Sequence, residues 1–186
     1  MAAPRKDNVI KLILNATEEL LKTKLLSDIS LAEIANHAGI AKGTLYYHYK
    51  NKEEILFALM DQYLEEQWNN LLAWTSDESK DTSLPRLLKY ILERDTSTAD
   101  MRFHFFYEAI SGNEVIRTRL LERYHNFAGL IAEKIRERTD SIDADYLAWI
   151  TLVLSDGLLM HKMLRNPEIN TTDTIKETEK YLRKIF

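Results

Sequence analysis

Three prolines and five glycines are the only strong helix breakers in 186 residues, and no segment alternates apolar and polar residues over a strand's length. Apolar residues return every three to four positions, the period of an α-helix, so the fold expected is all-α. A first stripe, Val9, Ile10, Ile13, Leu14, Ala16, Leu20 and Leu21, predicts a helix over about 7–24. At SLAE, Ser30 offers a cap and Glu33 follows three residues on, a capping box that opens a second helix. Gly39 ends it, because glycine takes up a left-handed conformation at little cost. A third helix spans about 42–49. NKEE, Asn51 with Glu54, opens a fourth that carries Ile55, Leu56, Leu59, Met60, Tyr63 and Leu64 to about Trp74. Beyond the polar TSDESKDTS, helices are expected near 82–97, 99–111, 112–138, 143–166 and 171–185, about nine in all. The one at 143–166 is apolar nearly all round, which implies core on one side and a partner subunit on the other.

Several function classes drop out. Cysteine is absent, which removes disulfides, thiolate metal sites and cysteine nucleophiles, and fits a reducing cytoplasm. The longest uncharged apolar run, Tyr146 to Leu154, is far below the roughly 20 residues that span a bilayer, so a soluble protein with no membrane partner is expected. The start MAAPRKDNVIKLIL has Lys11 inside its apolar stretch, Asn15 directly after it and no small-residue cleavage site, and reads as helix, not leader. The histidines at 37, 48, 104, 125 and 161 show no H-x-x-x-H pair, and His104 with Glu108 one turn on suits a surface or pocket-polar role better than a metal. DSIDAD alternates carboxylates but lacks the glycine and distal glutamate of a calcium loop. No nucleophile elbow, phosphate loop or dinucleotide fingerprint occurs, so no enzyme, cofactor or metal is expected.

Charge is unevenly spread. Residues 1–52 hold eight Lys and Arg against five Asp and Glu, a net of +3, whereas the chain as a whole is at −4. A basic head on an acidic body is what arises when only one end approaches phosphate. Within that head lies AKGTLYYHYKNKEE, with Tyr46, Tyr47, His48 and Tyr49 in a row. Successive helical residues point about 100° apart, so four rings in a row cannot all be core. Leu45 and Tyr49 can face inward, which leaves Tyr46, Tyr47 and His48 outside. Two short helices joined by a tight glycine turn form a helix-turn-helix, whose second helix enters a DNA major groove. Lys42, Gly43 and Thr44 then stand at that helix's start, where Gly43 permits close backbone approach to phosphate. Tyr and His bring a hydroxyl or ring N–H and a flat face to backbone and bases. Lys52, at the next helix start, is expected as a second phosphate clamp, and PRKDN could reach a minor groove, although a solvated terminus is the commoner role.

Ser30 to Leu56, SLAEIANHAGIAKGTLYYHYKNKEEIL, resembles the DNA-binding signature of the TetR family of bacterial transcriptional regulators: Ile34-Ala35, Ala38-Gly39-Ile40, Lys42 to Tyr46, His48-Tyr49 and Lys52 fall at family spacing. The likeness covers about the first 65 residues; further on, only helical character, length and the SDG of Ser155 to Gly157 are similar. It implies a helix-turn-helix domain at 1–52 (motif about 29–49) and a ligand-binding and dimerisation domain at 53–186. It also implies a homodimer on a palindromic double-stranded DNA operator, a small-molecule effector and repression, with the last two helices dimerising as a four-helix bundle. DNA contacts are then expected from Ser30, Lys42, Gly43, Thr44, Tyr46, Tyr47, His48 and Lys52. Ala41 departs from the family, standing where many members have a Ser or Thr cap. For an apolar or aromatic effector the candidates are Trp68, Phe103, Phe106, Tyr107, Tyr124, Phe127, Trp149 and Met160, though such a set is also what an ordinary core looks like. For the dimer interface they are Leu152, Leu159, Met163, Ile175, Tyr181 and Leu182. The alternative is a helical small-molecule-binding or scaffold protein without DNA binding.

Overall fold

The computed structural model describes residues 6–97 and 99–186, with side chains at 8–94 and 102–186. Pro4 and Arg5, at the basic start, lie outside the described residues. Among the described residues there are nine α-helices, one 3-10 turn and no strand. The helices are α1 (Lys6–Leu21), α2 (Leu31–His37), α3 (Lys42–His48), α4 (Lys52–Thr75), α5 (Leu84–Ser97), α6 (Ala99–Ile110), α7 (Glu114–Arg136), α8 (Ala144–Met163) and α9 (Thr171–Ile185). The 3-10 turn, Leu26–Asp28, fills a stretch that the sequence periodicity left unassigned.

The chain forms two compact units. The first takes residues up to Glu65 together with Asp100–Ile116, so it holds α1 to α3, the first part of α4, and α6. Its core is built on Ile13, Leu21, Leu26, Ile34, Leu45, Ile55, Leu56 and Met60, all buried. The stripe read in α1 is the face that is covered; Thr17, within it, donates its hydroxyl to the Ile13 carbonyl at 2.8 Å and so carries no open polar group inward. From α6, buried His104 brings Nε2 to 2.6 Å from the Leu21 carbonyl at the end of α1, and buried Phe105 sets its ring 6.3 Å from that of Tyr63.

The second unit takes Glu66–Ala99 and Arg117–Phe186. Leu71, Leu87, Leu88, Ile91, Ile131, Ile135, Leu147, Ala148 and Leu152 form its main core, and Leu92, Leu158 and Ile175 a smaller one. Charged ties surround the smaller core. Lys89 in α5 lies 2.7 Å from Glu179 in α9, and Arg183 reaches both Glu179 and Asp81 at 2.9 Å. Asp143 and Asn170 cap α8 and α9 through the amides of Tyr146 and Asp173.

The expected dimer set needs correction. Leu152, Leu159 and Ile175 are buried within this chain and have no surface left to give a partner. Leu182 is half-buried against the main core. On α8 the outward apolar positions are Tyr146, Trp149, Ile150, Val153 and Met160, a single helical face that Leu164 continues at the C-cap, and in α9 Tyr181 and Ile185 are exposed.

Candidate nucleic-acid interface

The α2–turn–α3 motif is held by local bonds that its sequence dictates. Ser30 Oγ accepts the Glu33 amide at 3.1 Å and starts α2. The helix ends with the Gly39 amide donating to the Asn36 carbonyl and the Ile40 amide to the Ala35 carbonyl, while Gly39 sits at φ +65°. This is the glycine C-cap anticipated from the sequence. Glu33 also accepts from Lys24 at 2.5 Å, and that hydrogen bond is the main reason its carboxyl is held below the usual range.

Ala41 enters α3 in extended conformation with no side-chain cap, as its methyl group requires. Leu45 is fully buried and anchors the helix. On the other side Tyr46 is 55% and Tyr47 78% exposed, and His48 sets its ring edge-on to Tyr47 at 5.2 Å. Lys42 and Gly43 are exposed, and Thr44 is half-buried. A Cβ added at Gly43 would meet nothing within 4 Å, so packing inside the chain does not ask for glycine there. Tyr49 is half-buried, and desolvation, with Glu54 nearby, pushes its hydroxyl up from the usual tyrosine value. At the start of α4, Asn51 Oδ1 accepts the Glu54 amide and Glu54 in return accepts the Lys50 amide, both at 2.8 Å. Lys52 is turned inward: its Nζ donates to the carbonyls of Leu26, Ser27 and Ile29.

The aromatic candidates for an effector site fall into two groups. Phe103, Phe106 and Tyr107 belong to the first unit, where the Phe103 and Tyr107 rings lie 6.1 Å apart. Trp68, Tyr124 and Phe127 pack half-buried on the main core of the second. There Tyr124 donates to the Asp156 carboxylate at 2.8 Å and runs parallel to Trp149 at 6.5 Å. Trp149 and Met160 stand on the outward face of α8, and Met163 is half-buried. An open cleft of about 390 Å³ lies at the α8–α9 turn, lined by His161, Lys162, Arg165, Asn166 and the start of α9; no aromatic candidate borders it. Among the described residues no three His, Asp or Glu gather into a metal site, and no helix is long and apolar enough to cross a membrane.

Fold and surface together define a helix-turn-helix protein with an all-helical body. Residues 13–59 match the family model of the bacterial regulatory proteins, tetR family, so the N-terminal part of the chain is similar to those proteins. Over 65 residues it is 35% identical to the HTH-type transcriptional regulator EthR of Mycobacterium tuberculosis, a match covering 35% of this chain and 30% of that protein. The curated relatives it matches first are thus spanned over less than a third of their length. In fold, a Saccharomonospora viridis protein solved with choline superposes with TM-score 0.80 at 17% identity, covering 96% of this chain and 97% of that one. The transcriptional regulator FadR of Bacillus subtilis, solved with stearoyl-CoA, superposes with TM-score 0.73 at 18% identity, covering 92% and 96%.

Proposed function

We propose that this protein is a ligand-responsive transcriptional regulator, a repressor, that binds a palindromic DNA operator as a homodimer. The observation that carries the reading is the outward face of α3: two large exposed tyrosines on a helix whose opposite side is locked into the core by Leu45. Exposed rings at this density have no use to the chain's own packing, whereas a major groove offers phosphate, sugar and base edges to them. Lys42, Gly43, Thr44, Tyr46, Tyr47 and His48 form the contact set, with Ser30 at the start of the supporting helix. A net of +3 over residues 1–52 supplies the general attraction.

Dimerisation is assigned to the outward apolar stripe of α8 with the exposed end of α9, a surface that water covers poorly and a second copy covers well. The effector is a small molecule with apolar or aromatic surface, received by the aromatic side chains of the body. Choline and stearoyl-CoA, held by two proteins of similar fold, have little chemistry in common, so the fold leaves effector choice to the side chains. Release of DNA follows from differential affinity: an effector that prefers a body conformation with another spacing of the two α3 helices weakens binding by that preference alone. The unbroken α4, Lys52 to Thr75, is the natural lever.

The test is selection from a random duplex pool by the purified chain at about 150 mM salt, where weak surface attraction is screened. Enrichment of an inverted repeat with half-sites about 34–36 Å apart, or at a related spacing, is the expected result. A folded dimer that enriches nothing overturns the reading and leaves a helical small-molecule-binding or scaffold protein.

A further inference from the structure

Lys52 sits where a phosphate clamp was expected, yet its ammonium is fully engaged by its own chain. Nζ lies 2.7 Å from the Leu26 carbonyl oxygen, 3.0 Å from that of Ser27 and 3.2 Å from that of Ile29. An ammonium has three protons and no acceptor capacity, so three carbonyls match its whole donor set. The acceptors come from the 3-10 turn and the residue just before Ser30, the cap of α2. Carbonyls gathered at the end of a helical turn carry partial negative charge, which a cation offsets. The side chains of Leu26 and Ile29 are buried in the same core, so fixing these carbonyls also fixes two core residues.

The position in the chain gives this contact its meaning. Lys52 is the first residue of α4, and its acceptors lie 23 to 26 residues earlier. Everything between them is the motif itself: the end of the turn, α2, the Gly39 turn and α3. One side chain therefore ties the entry of the helix-turn-helix to its exit and closes it into a loop, which removes conformations that an open segment would sample. We propose that Lys52 is a positioning residue, holding α2 and α3 as one body on the first turn of α4, and that it is not a phosphate ligand. A displacement of that turn is then passed to both helices of the motif together. The inference bears on the proposed DNA-binding site, but its first test needs no DNA.

Amide hydrogen exchange is measured on the free protein, on Lys52→Met and on Lys52→Arg. Lys52→Met is expected to speed exchange across residues 26–49 about tenfold or more, the scale of hydrogen bonds to a charged group, and to leave the α7 and α8 amides unchanged. Lys52→Arg keeps the charge, but a planar fork cannot aim three donors at three carbonyls of one turn, so it too is expected to exchange faster than the parent. The arginine variant carries the test if the methionine variant fails to fold. Exchange unchanged in both variants would overturn the proposal. So would Lys52→Met binding a selected duplex with a salt slope smaller by about 0.9 and parental exchange, with arginine restoring the slope, since that is how a phosphate ligand behaves. If the chain selects no duplex, the regulator reading fails alone and the exchange experiment still decides the role of Lys52.

Discussion

Glu179 fastens α9 to α5. Its carboxylate is largely covered and faces Lys89, Arg183 and Arg86, and the hydrogen bond from Lys89, then that from Arg183, hold its carboxyl below the usual range. An acid with a lowered native pKa stabilises the fold above its unfolded value, near 4.3, and loses that contribution as pH falls through the native value. Glu179→Gln is therefore expected to cost about 1–2 kcal/mol at pH 7, and the gap to the parent should narrow steadily in unfolding experiments below about pH 4. A gap that stays constant down to pH 2.5 would remove the ion pairs from the account. Residues whose role is set by near neighbours were legible in the sequence: Ser30 as cap, Gly39 as C-cap, Leu45 inward with Tyr46 and Tyr47 outward. The partners of Lys52 were not. They lie in a 3-10 turn too short to show a period, and nothing local says that the turn and the start of α4 meet.

Among the helices, boundaries followed from caps and breakers and came within a few residues of those observed, because capping chemistry is local. Phase did not always follow. α8 is apolar almost all round, so its pattern could not say which side the chain keeps for itself; Leu152 and Leu159 went inward while their neighbours Val153 and Met160 went outward. Nor could periodicity assign α6 to the unit that holds α1 to α3, an association made by His104 and Phe105 across long sequence separations. α3 offers a direct check of the capping argument. Ala41 already has the extended backbone of a cap and lacks only an oxygen. Ala41→Ser is expected to stabilise the protein by about 1 kcal/mol in thermal or denaturant unfolding. No gain would mean that the start of α3 is satisfied by other means.

For the whole molecule, the charge asymmetry and the helical class were visible in the sequence, and so was the likeness of the N-terminal part to the tetR-family model that matches residues 13–59. The division into units was not: α4 and α7 each run unbroken through a unit boundary, and helical periodicity takes no notice of one. The outward stripe of α8 centres on Val153, which is exposed. Val153→Glu places a carboxylate at its centre without touching the core, so the fold should persist while the dissociation constant of the proposed dimer rises at least ~100-fold by sedimentation. A variant that remains dimeric would move the interface elsewhere. The claim on which the rest depends is that the outward face of α3 reads DNA sequence, and it is tested most directly by selecting duplexes from one random pool with the parent and with Tyr47→Ala at about 150 mM salt. Tyr47 is 78% exposed, so its loss should change folding stability by less than about 0.5 kcal/mol. Tyr47→Ala is expected to keep the half-site spacing of the selected repeat, weaken binding by about 1–3 kcal/mol and lose preference at particular base pairs within each half-site. A variant that selects the same sequence with the same affinity would contradict that claim.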